Sequence, residues 1–444
     1  MAGQDTHRVT SFIHETHFDD LPDDVLHQTR RCLLDLVGVA AAGTRTPLSE
    51  IMRNHAHSQA PAGTHAPRLL FDGRRVGAAH AALANAATID SMDGHDGHRL
   101  TKGHAGAAVL PGVLAFVDGK EETSIRELLT ALAIGYEIAL RAGIALHRTA
   151  ADYHSSGAWN SLGAAAAAVR LLGLDRDASW HALGIAEYSS PRAPMMRAID
   201  HPTMVKDSSA WGAQAGVSST LLAADGFTGA PADLMTEPEM ADLGSRWRTL
   251  EQYFKPYPVC RWAQPAVQAM LSLLEQSSLK VEQIAHIEVA TFEAATRLAA
   301  REPLTTEEAQ YSLPFPVALA AVHRQLTPDL LLDPRANPEV RRLAAGMKLV
   351  EDRAMTAKFP AVCEAEVTVV VQDGHRFASG TFNADGDPEA PLSDSRLLDK
   401  FGLYTKELGE PRSKRLAELI LGSEDESATE LVDLLMQPLR FSCP

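Results

Sequence analysis

The sequence predicts a mainly α-helical protein with a smaller α+β domain, arranged as a large helical bundle carrying an α+β lid. Three observations support that prediction. Apolar residues recur at helical spacing from the N-terminus to about Gly226, in segments rich in Ala and Gly. After Pro265 the pattern turns to alternation, as in Ile284-Ala-His-Ile-Glu-Val-Ala290. Two runs rich in β-branched residues flank the turn pair Asp373-Gly374, which is a hairpin signal.

Taken in order, Leu21-Pro-Asp-Asp24 has the early proline and acids of a helix start. Apolar positions follow through Val25, Cys32, Leu33, Leu36, Val37 and Val39. Leu69-Leu70-Phe71 with Asp72-Gly73 predicts a short ribbon within 67–76. Helices are predicted at 78–88, 107–117, 125–141, 157–172 and 211–224, and their small residues allow close helix approach. No repeat of about 20–50 residues marks a solenoid. Beyond Pro265 come a helix at 266–274, a strand at 284–290, helices near 307–322 and 338–350, and the hairpin 365–371 with 376–382. The Pro- and Asp-rich stretch 385–393 predicts a linker, with helix again at 397–408 and 415–421. A chain of 444 residues exceeds what one core usually serves. We therefore expect a helical domain over 1–265, rejoined by 394–444, a lid over 266–393, and a cleft between them.

Composition narrows the function classes. A formal net charge of −16 and a pI near 5.6 argue against nucleic acid or an anionic membrane as a partner. A small anionic substrate stays open, because a cleft can be locally positive. The four cysteines (Cys32, Cys260, Cys363 and Cys443) form no C-x-x-C pair, which suits a reducing compartment better than a disulfide framework. The N-terminus lacks a basic stretch followed by an apolar one, and the Ala-rich runs are broken before membrane-spanning length. A cytoplasmic protein with no membrane partner is the expectation.

Four polar clusters interrupt this apolar scaffold. The densest is Asp90-Ser-Met-Asp-Gly-His-Asp-Gly-His-Arg-Leu-Thr-Lys-Gly-His104, which gathers three carboxylates, three imidazoles and an ammonium between two helices. Such a loop is a sound mount for catalytic groups; the plainer alternative is a solvated helix connection. Tyr153-His154-Ser-Ser-Gly157 precedes an Ala-rich helix, where a His can meet an anion or serve as a polar cap. The stretch 192–206 ends in Lys206 and reads alternatively as a surface loop. Phe254-Lys-Pro-Tyr-Pro-Val-Cys-Arg261 is stiffened by two prolines and carries Lys255 and Arg261; its plainer reading is an interdomain strap.

With these residues in view the chain resembles the MmgE/PrpD family, which includes 2-methylcitrate dehydratase, cis-aconitate decarboxylase and iminodisuccinate epimerase. The resemblance runs nearly end to end. It passes through Cys32-Leu-Leu-Asp-Leu-Val-Gly38, Asn85-Ala86, Asp93 to Asp96, His104 to Pro111 and Gly135-Tyr-Glu137. It continues through His154, Lys206, Gly226-Phe-Thr-Gly229 and Lys255-Pro-Tyr-Pro-Val-Cys-Arg261. It implies a helical domain with an α+β lid, a homodimer, and no metal or organic cofactor. The loop departs from the family pattern His-x-x-Asp-Phe-Asp-Asp: Asp90 replaces the leading His and His95 the middle carboxylate. Past Lys206, Ser208-Ser209 stand where the family often has a His, and Ala263-Gln264 where it often has Thr-His.

Several His and Lys residues without a nucleophile elbow suit proton abstraction beside a carboxylate. His104 and His154 are expected to move the proton, with Asp93 tuning an imidazole and Lys206 and Lys102 as catalytic cations. Lys255, Arg261, Tyr153, Asp96, His98 and Cys260 are expected to bind a small polycarboxylate. A lyase of the 2-methylcitrate dehydratase type is expected first. An epimerase of the iminodisuccinate type and a cis-aconitate-type decarboxylase are the alternatives within the family. Two readings from other classes are a polycarboxylate-binding protein and a metal site built on His95, His98, Asp93 and His104.

Overall fold

A computed structural model of the chain describes residues 2–60, 63, 66–422, 424 and 426–439. Helix Ile125–Thr149 packs on Gly157–Leu172, which in turn packs on Gly106–Val117 and Ser209–Ala224. Small residues set this spacing, as the sequence suggests. A Cβ on Gly163 would lie 2.3 Å from the Gly135 carbonyl oxygen, so the two helices cross where neither carries a side chain. Ala78–Asp90 and Asp23–Gly43 join the bundle, as do Pro47–Gln59 and Arg176–Ser189. Ile125–Thr149 is long and apolar enough to cross a membrane by length and composition, but it is buried inside the protein. The short ribbon forms as expected, with Arg68 paired to Arg75 around the turn at Gly73.

The second part is a four-stranded sheet in the order Lys348–Glu351, Ile284–Thr291, Glu364–Val371, Arg376–Asn383. The first pair is parallel and the other two antiparallel. Helix Gln264–Gln276 covers the last two strands. Two sequence expectations change here. The helix expected near 307–322 is two helices, Thr306–Gln310 and Pro314–His323: the backbone leaves the helical region at Tyr311 (φ −99°, ψ 35°), and Pro314, which has no N–H to donate, starts a new helix. The helix expected at 338–350 ends at Ala345, and Lys348–Glu351 joins the sheet.

The linker leads into Asp394–Tyr404, which packs with Glu410–Gly422 against Asp23–Gly43. Lys400 on the first of these helices donates to Asp35 Oδ1 at 2.5 Å and to the Gly94 carbonyl at 2.6 Å. The C-terminal helices thereby hold the polar loop. The sheet-side apolar cluster also takes in Val39, Ala42 and Met92 from the bundle, so the seam between the two parts runs beside Asp93.

Candidate active site

Most of the loop from Asp90 to His104 is buried, with Leu100 exposed and Arg99 and Lys102 half-buried, which removes the reading of a solvated connection: His95 and Asp96 are 0% exposed and Asp93 3%. It holds its path through a two-residue strand, Gly97–His98, paired antiparallel with Gln252–Tyr253, and through His98 N donating to the Gly103 carbonyl. Two glycines are required by proximity. A Cβ on Gly97 would lie 2.4 Å from Tyr253 Oη and 2.8 Å from His104 Nδ1, and one on Gly103 2.3 Å from Ser156 Oγ.

His104 is fixed on three sides. Its Nδ1 donates to the Asp96 carbonyl at 2.6 Å, its backbone N donates to Ser156 Oγ, and its carbonyl accepts from Asn160 Nδ2. That tautomer leaves Nε2 with the lone pair, 3.8 Å from Asp207 Oδ2. Burial, then the neighbouring His95 ring 4.2 Å away, holds His104 well below the usual imidazole range, so it is neutral.

His104 lies in the wall of a cleft enclosing about 520 Å³, mouth included. Of the residues singled out in the sequence, Asp93, His98, Lys102, His104, Tyr153, Cys260 and Arg261 line it. Their states differ. Arg261 is clamped by both oxygens of Asp387 at 2.5 and 2.8 Å, and the lining Arg99 pairs with Glu389. His98 meets Glu251 at 3.1 Å. Lys102 lies over the Tyr153 ring, whose hydroxyl donates to the Lys102 carbonyl. Of the lining Lys and Arg side chains, Lys102 alone has no carboxylate partner among the described residues. Its left-handed backbone, φ +49°, is uncommon away from glycine.

Lys255 and Lys206 stand behind this wall. Lys255 Nζ donates to Asp93 Oδ1. Lys206 Nζ donates to Gln310 Oε1 at 2.8 Å, the same atom that accepts from the Asp93 amide at 2.7 Å. Burial alone would raise Asp93, but Lys255 and then Lys206 hold it well below the usual carboxylate range.

Two expected site residues lie elsewhere. His154 turns its Nδ1 to the Asp152 carbonyl at 2.7 Å and does not line the cleft, because its neighbour Tyr153 takes the inward position. Asp96 is fully buried behind His104 and accepts from Gln252 Nε2 at 2.6 Å and from the Tyr136 hydroxyl, so it braces the loop rather than facing a ligand. The cleft also contains residues that the sequence reading passed over: Asp207, Tyr253 and Tyr311 in its wall, with Gln310 behind; Ser156, from the 153–157 cluster, donates to Asp207. Asp207 directly follows the flagged Lys206, and Tyr253 directly precedes the flagged strap. Nothing local marks Gln310 or Tyr311.

Among the described residues, Asp93, His95 and His104 bring three potential metal ligands within 4.8 Å of one another. The donor set fits a cation poorly, since Asp93 already holds the Lys255 ammonium and His104 Nδ1 is committed to a carbonyl. His98 of the sequence-derived metal set is turned to Glu251 instead. The arrangement suits proton transfer at a carbon atom near an anionic group. Cys260 and Cys363 are free thiols in the cleft, burial pushing Cys260 up to about 12, which leaves it unreactive. Cys443 lies outside the described residues.

Comparison with known proteins agrees with this architecture. The MmgE/PrpD N-terminal domain matches residues 7–244 and the MmgE/PrpD C-terminal domain residues 257–425. The chain is 25% identical to cis-aconitate decarboxylase of Aspergillus terreus, covering 95% of this chain and 94% of the relative. It is 26% identical to cis-aconitate decarboxylase of Homo sapiens, over 98% and 95% of the two chains. The Mus musculus cis-aconitate decarboxylase is 25% identical over 89% and 86%.

Proposed function

The chain belongs to the MmgE/PrpD family, and on that footing we propose that it is an acid–base lyase acting on a small polycarboxylate. His104 Nε2 takes a proton from the carbon next to a carboxylate, and a group on the adjacent carbon leaves, water in the first instance. The observation that carries this reading is His104 itself: a neutral imidazole with one nitrogen locked to a carbonyl and the other in the cleft wall. A proton beside a carboxylate is weakly acidic, and its removal gathers a second negative charge on that carboxylate. Fixed cations aimed at the developing charge lower the barrier. Lys102 is free to meet it, while Lys255 and Lys206 keep the wall behind Asp93 positive.

Loss of carbon dioxide from an unsaturated tricarboxylate is the second reading, favoured by the activity named for the relatives of nearly full length. There His104, having first taken a proton from solvent on Nε2, would give it to the carbanion that decarboxylation leaves. A protein that only binds polycarboxylates is the reading outside catalysis. Proton NMR in deuterated water, with methylcitrate, citrate, cis-aconitate and iminodisuccinate in turn, separates all of these. We expect exchange or turnover with at least one compound, and a loss of about 10²–10⁴-fold in His104→Gln. Wild-type exchange in that variant would refute the assignment, and binding without exchange would favour the binding protein.

A further inference from the structure

Removing a proton from carbon leaves an elimination half finished. A hydroxyl departs far more readily as water than as hydroxide, so a second group must supply a proton. Asp207 has the geometry for it. It is 2% exposed and lies in the cleft wall. Its Oδ2 accepts from Ser156 Oγ at 2.6 Å and stands 3.8 Å from His104 Nε2. Its Oδ1 is buried with no hydrogen-bond partner among the described residues.

The backbone singles out the same residue. Lys206 and Ser208, on either side of it, both adopt left-handed conformations, φ +51° and +56°, which are strained for residues with a side chain. The Asp207 carbonyl is tied to Gly157 N at 3.1 Å. An ionised carboxylate with a buried unpaired oxygen is costly, so the site favours the carboxylic acid.

We propose that Asp207 is the proton donor of the reaction, handing its proton to the hydroxyl on the carbon next to the one that His104 deprotonates. This rests on His104 being the base. His104 Nε2 takes the α-proton and the C–H electron pair becomes the new C=C bond. The C–O pair leaves with oxygen, which takes the Asp207 proton and departs as water. The imidazolium and carboxylate that remain are neighbours, and transfer of the proton from Nε2 to Asp207 restores both. The protonation states agree: burial, then the charge of Asp90, pushes Asp207 up to about 7, while His104 is pushed the other way. Neighbouring groups driven apart in this way are how one site supplies both an acid and a base. The charged and titratable groups around Asp207 are Lys206 beside it in the chain, His104 and Asp93 on the loop, Asp90 at the helix end and Lys255 on the strap. Tyr153, Tyr311 and Cys260 face it across the cleft.

The test measures elimination and α-deuterium exchange separately by NMR, in wild type and in Asp207→Asn, on a hydroxy-polycarboxylate that the wild type turns over. Asparagine can still accept from Ser156. We expect elimination to fall about 10²–10⁴-fold in kcat while exchange persists, since His104 still removes the proton. Elimination within about tenfold of wild type, or loss of exchange together with elimination in a folded variant, overturns the proposal and leaves His104 as the base. Turnover by carbon dioxide loss alone, with no hydroxyl leaving, overturns it as well. Absence of exchange by the wild type with every polycarboxylate refutes the His104 reading, and the Asp207 proposal falls with it. If Asp207→Asn does not fold, Ser156→Ala decides. Losing a hydrogen bond to the ionised carboxylate moves the alkaline limb of the pH–kcat profile upward, and an unmoved limb overturns the proposal.

Discussion

Replacing Lys255 with methionine tests the charge arrangement of the site. Lys255 is 1% exposed and donates to Asp93, which is nearly as buried. Methionine fills a similar volume without the ammonium, so packing changes little. Two unit charges at contact attract by about 4 kcal/mol where the effective dielectric is about 20. Removing one member of a buried pair costs about 3–5 kcal/mol, because the other is left uncompensated. Lys206 stays close through Gln310, which places the expected loss near the lower end, about 3 kcal/mol. The loss also has a sign in pH. In the native protein the Asp93 pKa is depressed, so its contribution is present above the unfolded value of about 3.9 and is lost as pH falls through the lower folded value. In Lys255→Met burial takes over, the folded pKa rises above the unfolded one, and the variant loses stability as pH rises. Urea unfolding at about pH 5 and about pH 8 reads this out. The deficit should be larger at the higher pH, and Asp93→Asn in the same background should restore most of it. A deficit below about 1 kcal/mol, as for a surface pair, or an absence of rescue, refutes the reasoning.

Three further outcomes follow from the same geometry. Lys102→Ala removes the cleft cation that has no carboxylate partner; a charged hydrogen bond of about 1.5–3 kcal/mol corresponds to roughly 10–100-fold in kcat/KM, and unchanged kinetics would refute a role for Lys102 in meeting the substrate. Gly97→Ala sets a methyl against Tyr253 Oη and His104 Nδ1. It should destabilise by about 1–3 kcal/mol and lower kcat in the surviving folded protein by displacing His104, so normal kcat would refute the requirement for glycine. Asp96 is raised to about 8 by burial and then by the Asp35 charge. Its folded pKa lies above the unfolded one, so wild-type stability should decline as pH rises from about 4 to about 8. Asp96→Asn should flatten that decline in denaturation midpoints, and parallel curves would contradict it.

The helices and the hairpin were legible because their signals are periodic and local. The loop was legible as a candidate site because its residue types are improbable for a solvated connection. What escaped was side-chain direction. Within Asp93 to Asp96 no period tells which carboxylate faces the cleft; Asp93 does, and Asp96 turns behind His104 to Tyr136 and Gln252. At Tyr153-His154 a single-residue alternation sends the tyrosine inward and the imidazole to the Asp152 carbonyl. Asp207 escaped because its placement depends on left-handed backbone at Lys206 and Ser208, which residue propensities count as rare. Gln310 and Tyr311 are delivered by the helix break ahead of Pro314, and proline marks the break without marking what it presents.

The two departures in the loop from the family pattern it resembles are one exchange in space. Asp90 stands where that pattern has a histidine and His95 where it has a carboxylate, and the two side chains face each other, His95 Nε2 to Asp90 Oδ1 at 3.2 Å. In this chain the two altered positions thus meet as an imidazole–carboxylate pair inside the loop. The ring beside His104 is therefore His95 rather than a carboxylate. A carboxylate there would favour the imidazolium form of His104, whereas His95, after burial, disfavours it. The carboxylate, moved to Asp90, acts instead on Asp207 and raises it further. One swap thus biases His104 toward accepting a proton and Asp207 toward holding one. On this view the altered loop sets the protonation states of two groups outside the swapped pair, and that is how a change within the loop reaches the chemistry.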